Sequence, residues 1–127
     1  MKIILAEISA GELIDKITIL EIKKENIADK EKQSNIEKEL SALKTAMEQN
    51  IEMTEDLIKL KDELKTVNST LWNIENEKRK CENQKKFDSN FIDLSRQVYK
   101  SNDKRAKIKF KINDMLGSNI KEVKSHF

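Results

Sequence analysis

A chain of 127 residues in which 38% are charged, 5% are aromatic, two are glycine and none is proline has the make-up of long charged helices, which argues against turn-rich β structure. That length is one domain's worth, able to bury roughly two-thirds of the surface exposed by the unfolded chain, so 1–127 reads as a single helical domain. The formal charge of +2 hides ten Lys/Arg against fifteen Asp/Glu in residues 1–63 and fifteen against eight in 64–127; such halves can pair within one molecule or head to tail between two, which argues against nucleic acid as the automatic partner.

The start, "MKIILAEISA", has a short apolar run broken by Glu7, far below the ~20 apolar residues of a membrane span, and reads as neither a secretion signal nor an anchor. Residues 2–8 suit a strand or an extended arm, with 119–127, or the same segment of a second copy, as the partner for a strand. Ser9 opens a capping box in which its hydroxyl takes a first-turn N–H while Glu12 reaches back, so a first helix is predicted over 10–28. Its apolar residues Leu13, Ile14, Ile17, Leu20 and Ile22 cover an arc too wide for one neighbour, which puts this helix between a hairpin and something else.

Ile36, Leu40, Leu43 and Met47 predict a second helix over 31–49 with a narrow apolar stripe. After a weak break at 49–54, Leu57, Leu60, Leu64, Val67, Leu71, Ile74, Lys78 and Cys81 alternate by three and four, a coiled-coil-like seam over 55–83. Cys81 is the only cysteine; it excludes an internal disulfide framework, fits a cytoplasmic setting and reads as a small core residue on this seam. "NQKKFDSN" makes a turn with Asp88 or Ser89 as N-cap, and a fourth helix follows over 90–116, ended by Gly117.

The fourth helix carries Phe91, Leu94 and Val98 at its start and Ile108, Ile112 and Met115 at its end, but between them the seam reads Ser101 and Arg105. An arginine on a packing face needs a carboxylate or a bound anion. A polar stripe, Ser95, Tyr99, Asn102, Ala106, Lys109 and Asn113, runs beside it, and the third helix has a matching flank in Asn68, Trp72, Glu75, Arg79 and Glu82. Folding the two helices about Lys86 sets Trp72 level with Lys100 and Asn68 level with Lys104. The candidate site is therefore a polar belt of Lys16, Asn68, Trp72, Glu75, Tyr99, Asn102, Asp103 and Arg105.

Two readings of the belt stay open. In one, Glu75, Asp103 and Arg105 are ion pairs that fix register, with Trp72 and Tyr99 packed beside them. In the other the belt is a ligand-binding pocket: Arg105, with Arg96 or Lys109, for a phosphate or carboxylate, the two aromatics as flat walls, and Asn68 and Asn102 for hydroxyls. A carboxylate-only Mg²⁺ site from Glu12, Asp15, Glu75 and Asp103 is a weaker alternative. Glycines at 11 and 117 alone exclude a Gly-rich phosphate loop, and a lone His126 excludes histidine-based catalysis or zinc. No cofactor is called for. Lys100, Lys104, Lys107 and Lys111 read as a solvated basic face; the first helix can bring Glu12, Asp15 or Lys16 to the height of the belt, and Asp15 and Lys16 read as an edge ion pair or as one wall of the site.

The blocks "GELIDKITILEIK", "LWNIE", "VYKSNDKRAKIK" and "EVKSHF" span nearly the whole chain, which by them resembles a family of short bacterial and phage proteins of unknown function. Members of that family often end in tyrosine, where this chain has Phe127. The resemblance implies a setting near surface-polysaccharide and glycosyltransferase genes, and no catalytic residue. The expectation is an all-α antiparallel helical bundle dominated by a long coiled-coil-like hairpin with short extended termini. It acts as a homodimer that binds a small anionic or sugar-linked ligand or a partner protein, without membrane attachment. The alternative is a small all-α enzyme acting on a phosphorylated or sugar-nucleotide substrate, with Glu75 or Asp103 as acid or base.

Overall fold

The computed structural model describes residues 1–123. Four helices, and among the described residues no strand, make up the ordered chain: α1 Ala10–Asn26, α2 Lys30–Asn50, α3 Glu55–Gln84 and α4 Ser89–Leu116. The protein is all-α. No helix among the described residues is long and apolar enough to cross a membrane.

Each helix starts where a short polar side chain can take an orphan N–H of the first turn. Ser9, Asp29, Thr54 and Asp88 are the four N-caps. Two of the helices stop in the left-handed conformation, α3 at Lys85 with φ 53° and α4 at Gly117 with φ 60°. Gly117 adopts it freely, whereas Lys85 is the one described non-glycine residue that must carry a side chain there.

α1 packs against all three other helices, while α2 approaches only α1 closely. The wide apolar arc of α1 is the cause. Ile14 and Ile17 are fully buried, and Leu13, Leu20 and Ile22 nearly so, so this helix needs neighbours on several sides. The core joins Leu13, Ile14, Ile17 and Leu20 to Ile36, Leu40 and Met47 of α2, Leu57 and Leu64 of α3, and Ile108 and Ile112 of α4. Along the α3–α4 pair, partners rise in number on α4 as they fall on α3. Asn90 lies beside Cys81, Lys78 sits over the Phe91 ring, and Asn68 and Arg105 reach the same carboxylate.

Opposite charges in the two halves of the sequence meet within the molecule. Lys65 of α3 reaches Glu25 of α1 at 2.6 Å and Lys109 of α4 reaches Glu12 of α1 at 2.7 Å, while within the acidic half Glu21 lies 3.2 Å from Lys61. Residues 2–8 form no strand. No second strand lines up with them, because the chain after α4 passes through turn and bend, and an extended segment cannot satisfy its own backbone. They are an arm instead, tied near its base by a hydrogen bond from Asn119 Nδ2 to Glu7 Oε2 at 2.9 Å. The far part of 119–127, with His126 and Phe127, lies outside the described residues.

Candidate functional site

On α1, Gly11, Asp15, Thr18 and Ile22 recur every three or four residues, share one face, and are all buried. Gly11 lets that face approach α4. Its N–H donates to Asn113 Oδ1 at 2.6 Å, and a Cβ there would stand 2.7 Å from the Lys109 carbonyl oxygen. One turn further on, Asp15 has 0% of its surface exposed. A bare carboxylate at such a depth would be very costly, so its partners decide whether the fold holds.

Three donors meet it. Arg105 of α4 contributes Nε at 2.9 Å and Nη2 at 2.5 Å, a two-pronged contact that fixes the carboxylate plane, and Asn68 of α3 contributes Nδ2 at 2.9 Å. The Asn68 amide also donates to Thr18 Oγ1 at 2.9 Å, and that hydroxyl donates to the Asp15 carbonyl at 2.8 Å. Lys109 extends the cluster, with its Nζ 2.7 Å from Glu12, 2.7 Å from Glu122 and 3.9 Å from Asp15. Among the described residues, no buried side-chain nitrogen or oxygen lacks a partner.

The titration of these groups follows the same contacts. The hydrogen bond to Asp15 holds the Arg105 guanidinium above its ordinary value against the opposing effect of burial. Burial alone would lower the Lys109 ammonium, but Glu12, Glu122 and Asp15 together outweigh it and leave it raised. Glu12 is held below the usual carboxylate range, first by its contact with Glu122 and then, against burial, by Lys109.

The cluster corrects three expectations. Ser9 caps α1 through the Glu12 N–H at 3.1 Å, but the Glu12 carboxylate turns to Lys109 rather than back to Ser9. Asp15 belongs to the core rather than to an edge ion pair with Lys16, which is exposed. The carboxylate that answers Arg105 is Asp15 on α1, not Glu75 or Asp103.

The belt itself divides in two. Asn68, Trp72, Glu75 and Arg105 line a hollow of about 390 Å³, together with Ile19, Ile22, Leu71, Asn76 and Arg79. Tyr99, Asn102 and Asp103 line a separate groove of about 1020 Å³ on α4, with Val98, Ala106 and Phe110. Lys16 lines neither. Folding a hairpin on paper fixes how high along the axis two residues sit but not which side of the pair they face, and here the sides differ.

Sequence reasoning set Arg79 on the flank of Trp72 but left it out of the site, missed Asn76, and weighed Lys109 as an anion ligand rather than as the partner of Glu12. The readable signal was the α1 stripe of Gly11, Asp15 and Thr18, small and polar residues at helical spacing inside an apolar arc. Among the described residues no three His, Cys, Asp or Glu side chains gather as a metal site requires. The four carboxylates weighed for Mg²⁺ go to separate places: Glu12 and Asp15 to the Lys109–Arg105 cluster, Glu75 to the hollow, Asp103 to the groove. Lys100, Lys104, Lys107 and Lys111 are all exposed.

A family model described as "Family of unknown function (DUF6165)" matches residues 1–126. The chain belongs to that family. No curated protein and no solved structure matches the chain. DUF6165 membership covers α1 to α4 together with the arm, so the charge cluster, the hollow and the groove all fall within the matched region.

Proposed function

We propose that this DUF6165 protein is a non-catalytic binding and assembly module of the cytoplasm: one helical domain, an antiparallel bundle built on a coiled-coil-like hairpin, working as a homodimer in surface-polysaccharide metabolism. Its ligand site is the hollow beside Trp72, which takes a small anionic, sugar-linked molecule. The observation that carries this reading is the engagement of Asp15. Three donors already point at it and none of its surface is exposed, so nothing entering from solvent reaches it as an acid or base. Next to it the hollow offers what a bound anion needs without that carboxylate. Trp72 is a flat wall, Arg79 and the outer edge of Arg105 are cationic, and Asn76 supplies an amide, that of Asn68 being taken up by Asp15 and Thr18. At about 390 Å³ the hollow lies in the size range of small-molecule sites.

The test is thermal denaturation against nucleotides, sugar nucleotides, phosphosugars and divalent metals. Binding to the native state at a hundredfold excess over Kd adds about 2.7 kcal/mol, and a clear rise in Tm is expected with one anionic class. Arg105→Ala cannot separate binding from folding, because it strands Asp15. Arg79→Gln and Trp72→Ala spare the cluster and are expected to abolish the shift while leaving the unliganded Tm within a few degrees. No shift with any compound leaves an assembly role alone.

A second reading rests on Glu75, half-buried on the hollow beside Arg105, as acid or base of a small enzyme acting on a phosphorylated or sugar-nucleotide substrate. Turnover of a bound compound, lost in Glu75→Gln with binding kept, would replace the first.

A further inference from the structure

Among the described residues, the arm of residues 1–8 and the groove on α4 both present apolar side chains to solvent. Ile3, Ile4 and Leu5 are 86%, 80% and 89% exposed, three consecutive large hydrophobic side chains standing in water. Isolated exposed hydrophobics are ordinary, but a contiguous run of this kind marks a contact surface. On α4, Tyr99 and Phe110 are 53% and 56% exposed and line the 1020 Å³ groove with Val98 and Ala106. Val123, after the helix, closes its end. None of residues 1–8 lines that groove, so a single chain leaves it empty of its own arm.

We propose that the groove on α4 is the seat of the N-terminal arm of a second copy of this chain, exchanged in both directions across a two-fold axis. The proposal rests on the homodimer named above and supplies its interface. Three observations support it. The lengths agree: Ile3 to Ile8 in extended form spans roughly 17 Å at about 3.3 Å per residue, and the groove from Val98 to Phe110 runs about 18 Å along a helix rising 1.5 Å per residue. The chemistry agrees, since the bare Ile3, Ile4 and Leu5 of the arm meet a groove whose apolar lining is Val98, Tyr99, Ala106, Phe110 and Val123, with lysines and Asn102 and Asp103 among its polar lining to answer the charged Lys2 and Glu7 beside the apolar run. Symmetry then does the rest. A contact made by one arm and one groove is made again by the other pair, so both bare surfaces of each chain are covered together and the assembly closes at two.

The experiment uses the full chain with Cys81→Ser, Leu5→Cys and Ala106→Cys, oxidised and run without reductant, beside light scattering at micromolar concentration of the wild type and of Phe110→Glu. Phe110 is exposed, so its replacement leaves the helical circular dichroism unchanged and keeps the result readable. A disulfide-linked species of doubled mass, a dimeric wild type and a monomeric Phe110→Glu are expected. A disulfide within one chain overturns the exchange, because the arm then fills its own groove. A Phe110→Glu protein that stays dimeric also overturns it and leaves the homodimer standing on another surface. A monomeric wild type overturns both, and the ligand reading of the Trp72 hollow, tested through Arg79, is untouched by any of these results.

Discussion

The two ends of the α3–α4 pair are built from one repeating pattern and held in different ways. At the end covered by α1, Leu57, Leu64 and Ile112 are fully buried, and the helices are cross-tied through Asp15, Arg105 and Asn68. At the turn end there is no third helix. Ile74 and Cys81 are buried, but Phe87 and Ile92 are exposed, and Phe87 meets Phe91 edge-on with ring centroids 5.2 Å apart. Heptad spacing alone therefore makes a pair of helices. The short first helix, with one buried carboxylate, turns one end of that pair into a core.

The comparison breaks most directly at Asp15. Asp15→Ala takes from Arg105 its carboxylate and from the buried Asn68 amide one of its two acceptors, and a loss of about 3 kcal/mol is expected in urea denaturation. A mutant as stable as the parent would mean that the cross-tie contributes nothing to the covered end. Gly11→Ala comes next. Its Cβ meets the Lys109 carbonyl at 2.7 Å and Asn113 Oδ1 at 2.8 Å, and the first of these is backbone that cannot swing aside. About 1–3 kcal/mol should be lost, whereas alanine at an exposed position of α2 such as Lys38 should stay within about 0.5 kcal/mol.

The turn end should respond less. Phe91→Ala removes a half-buried ring, its edge contact with Phe87 and the Lys78 ammonium 5.9 Å above it. A loss of about 1 kcal/mol is expected, and hydrogen exchange should show amides of 75–95 opening at lower free energy than those of 57–70 and 105–112. Equal protection at both ends would remove the distinction.

The smallest effect is that of pH. Glu12 is held below its ordinary value in the folded chain, chiefly by Glu122 and Lys109, so between that lowered value and the usual carboxylate range the unfolded chain binds more protons. Its contribution is then complete above that range and is lost as pH falls through the lowered value. Lys109 is raised despite its burial, so its contribution is complete below the ordinary lysine value and is lost as pH rises through the higher one. A plot of Tm against pH should decline on both sides, and Lys109→Met should flatten the alkaline arm. An alkaline arm of unchanged slope in that variant would assign the decline to other lysines.

How far each region could be read from sequence follows from the same contrast. Caps and periodicity are local, so all four helices, the Asp88 turn and the Gly117 stop were legible, and the width of the α1 apolar arc called for a neighbour besides the α3–α4 pair without saying that it is α2. The fate of the arm at 2–8 was not, because strand formation depends on a partner elsewhere in the chain. Nor was the partner of Arg105. The requirement for a carboxylate could be stated, but the choice among Asp15, Glu75 and Asp103 depends on which side of the hairpin α1 covers. Glu12 was misread for a related reason: its local role as a cap was sufficient to explain it, while Lys109, 97 positions away, took its side chain.

The position of Asp15 also sets an order of events during synthesis. The ribosome delivers the α1 carboxylate early, 53 residues before Asn68 and 90 before Arg105. Until both have emerged, burying the α1 stripe would take an uncompensated charge out of water, which opposes premature collapse of the first helices onto one another. The helix that organises the core is thus made first and committed last, and a nascent chain halted before Arg105 should remain open to chaperones and proteases.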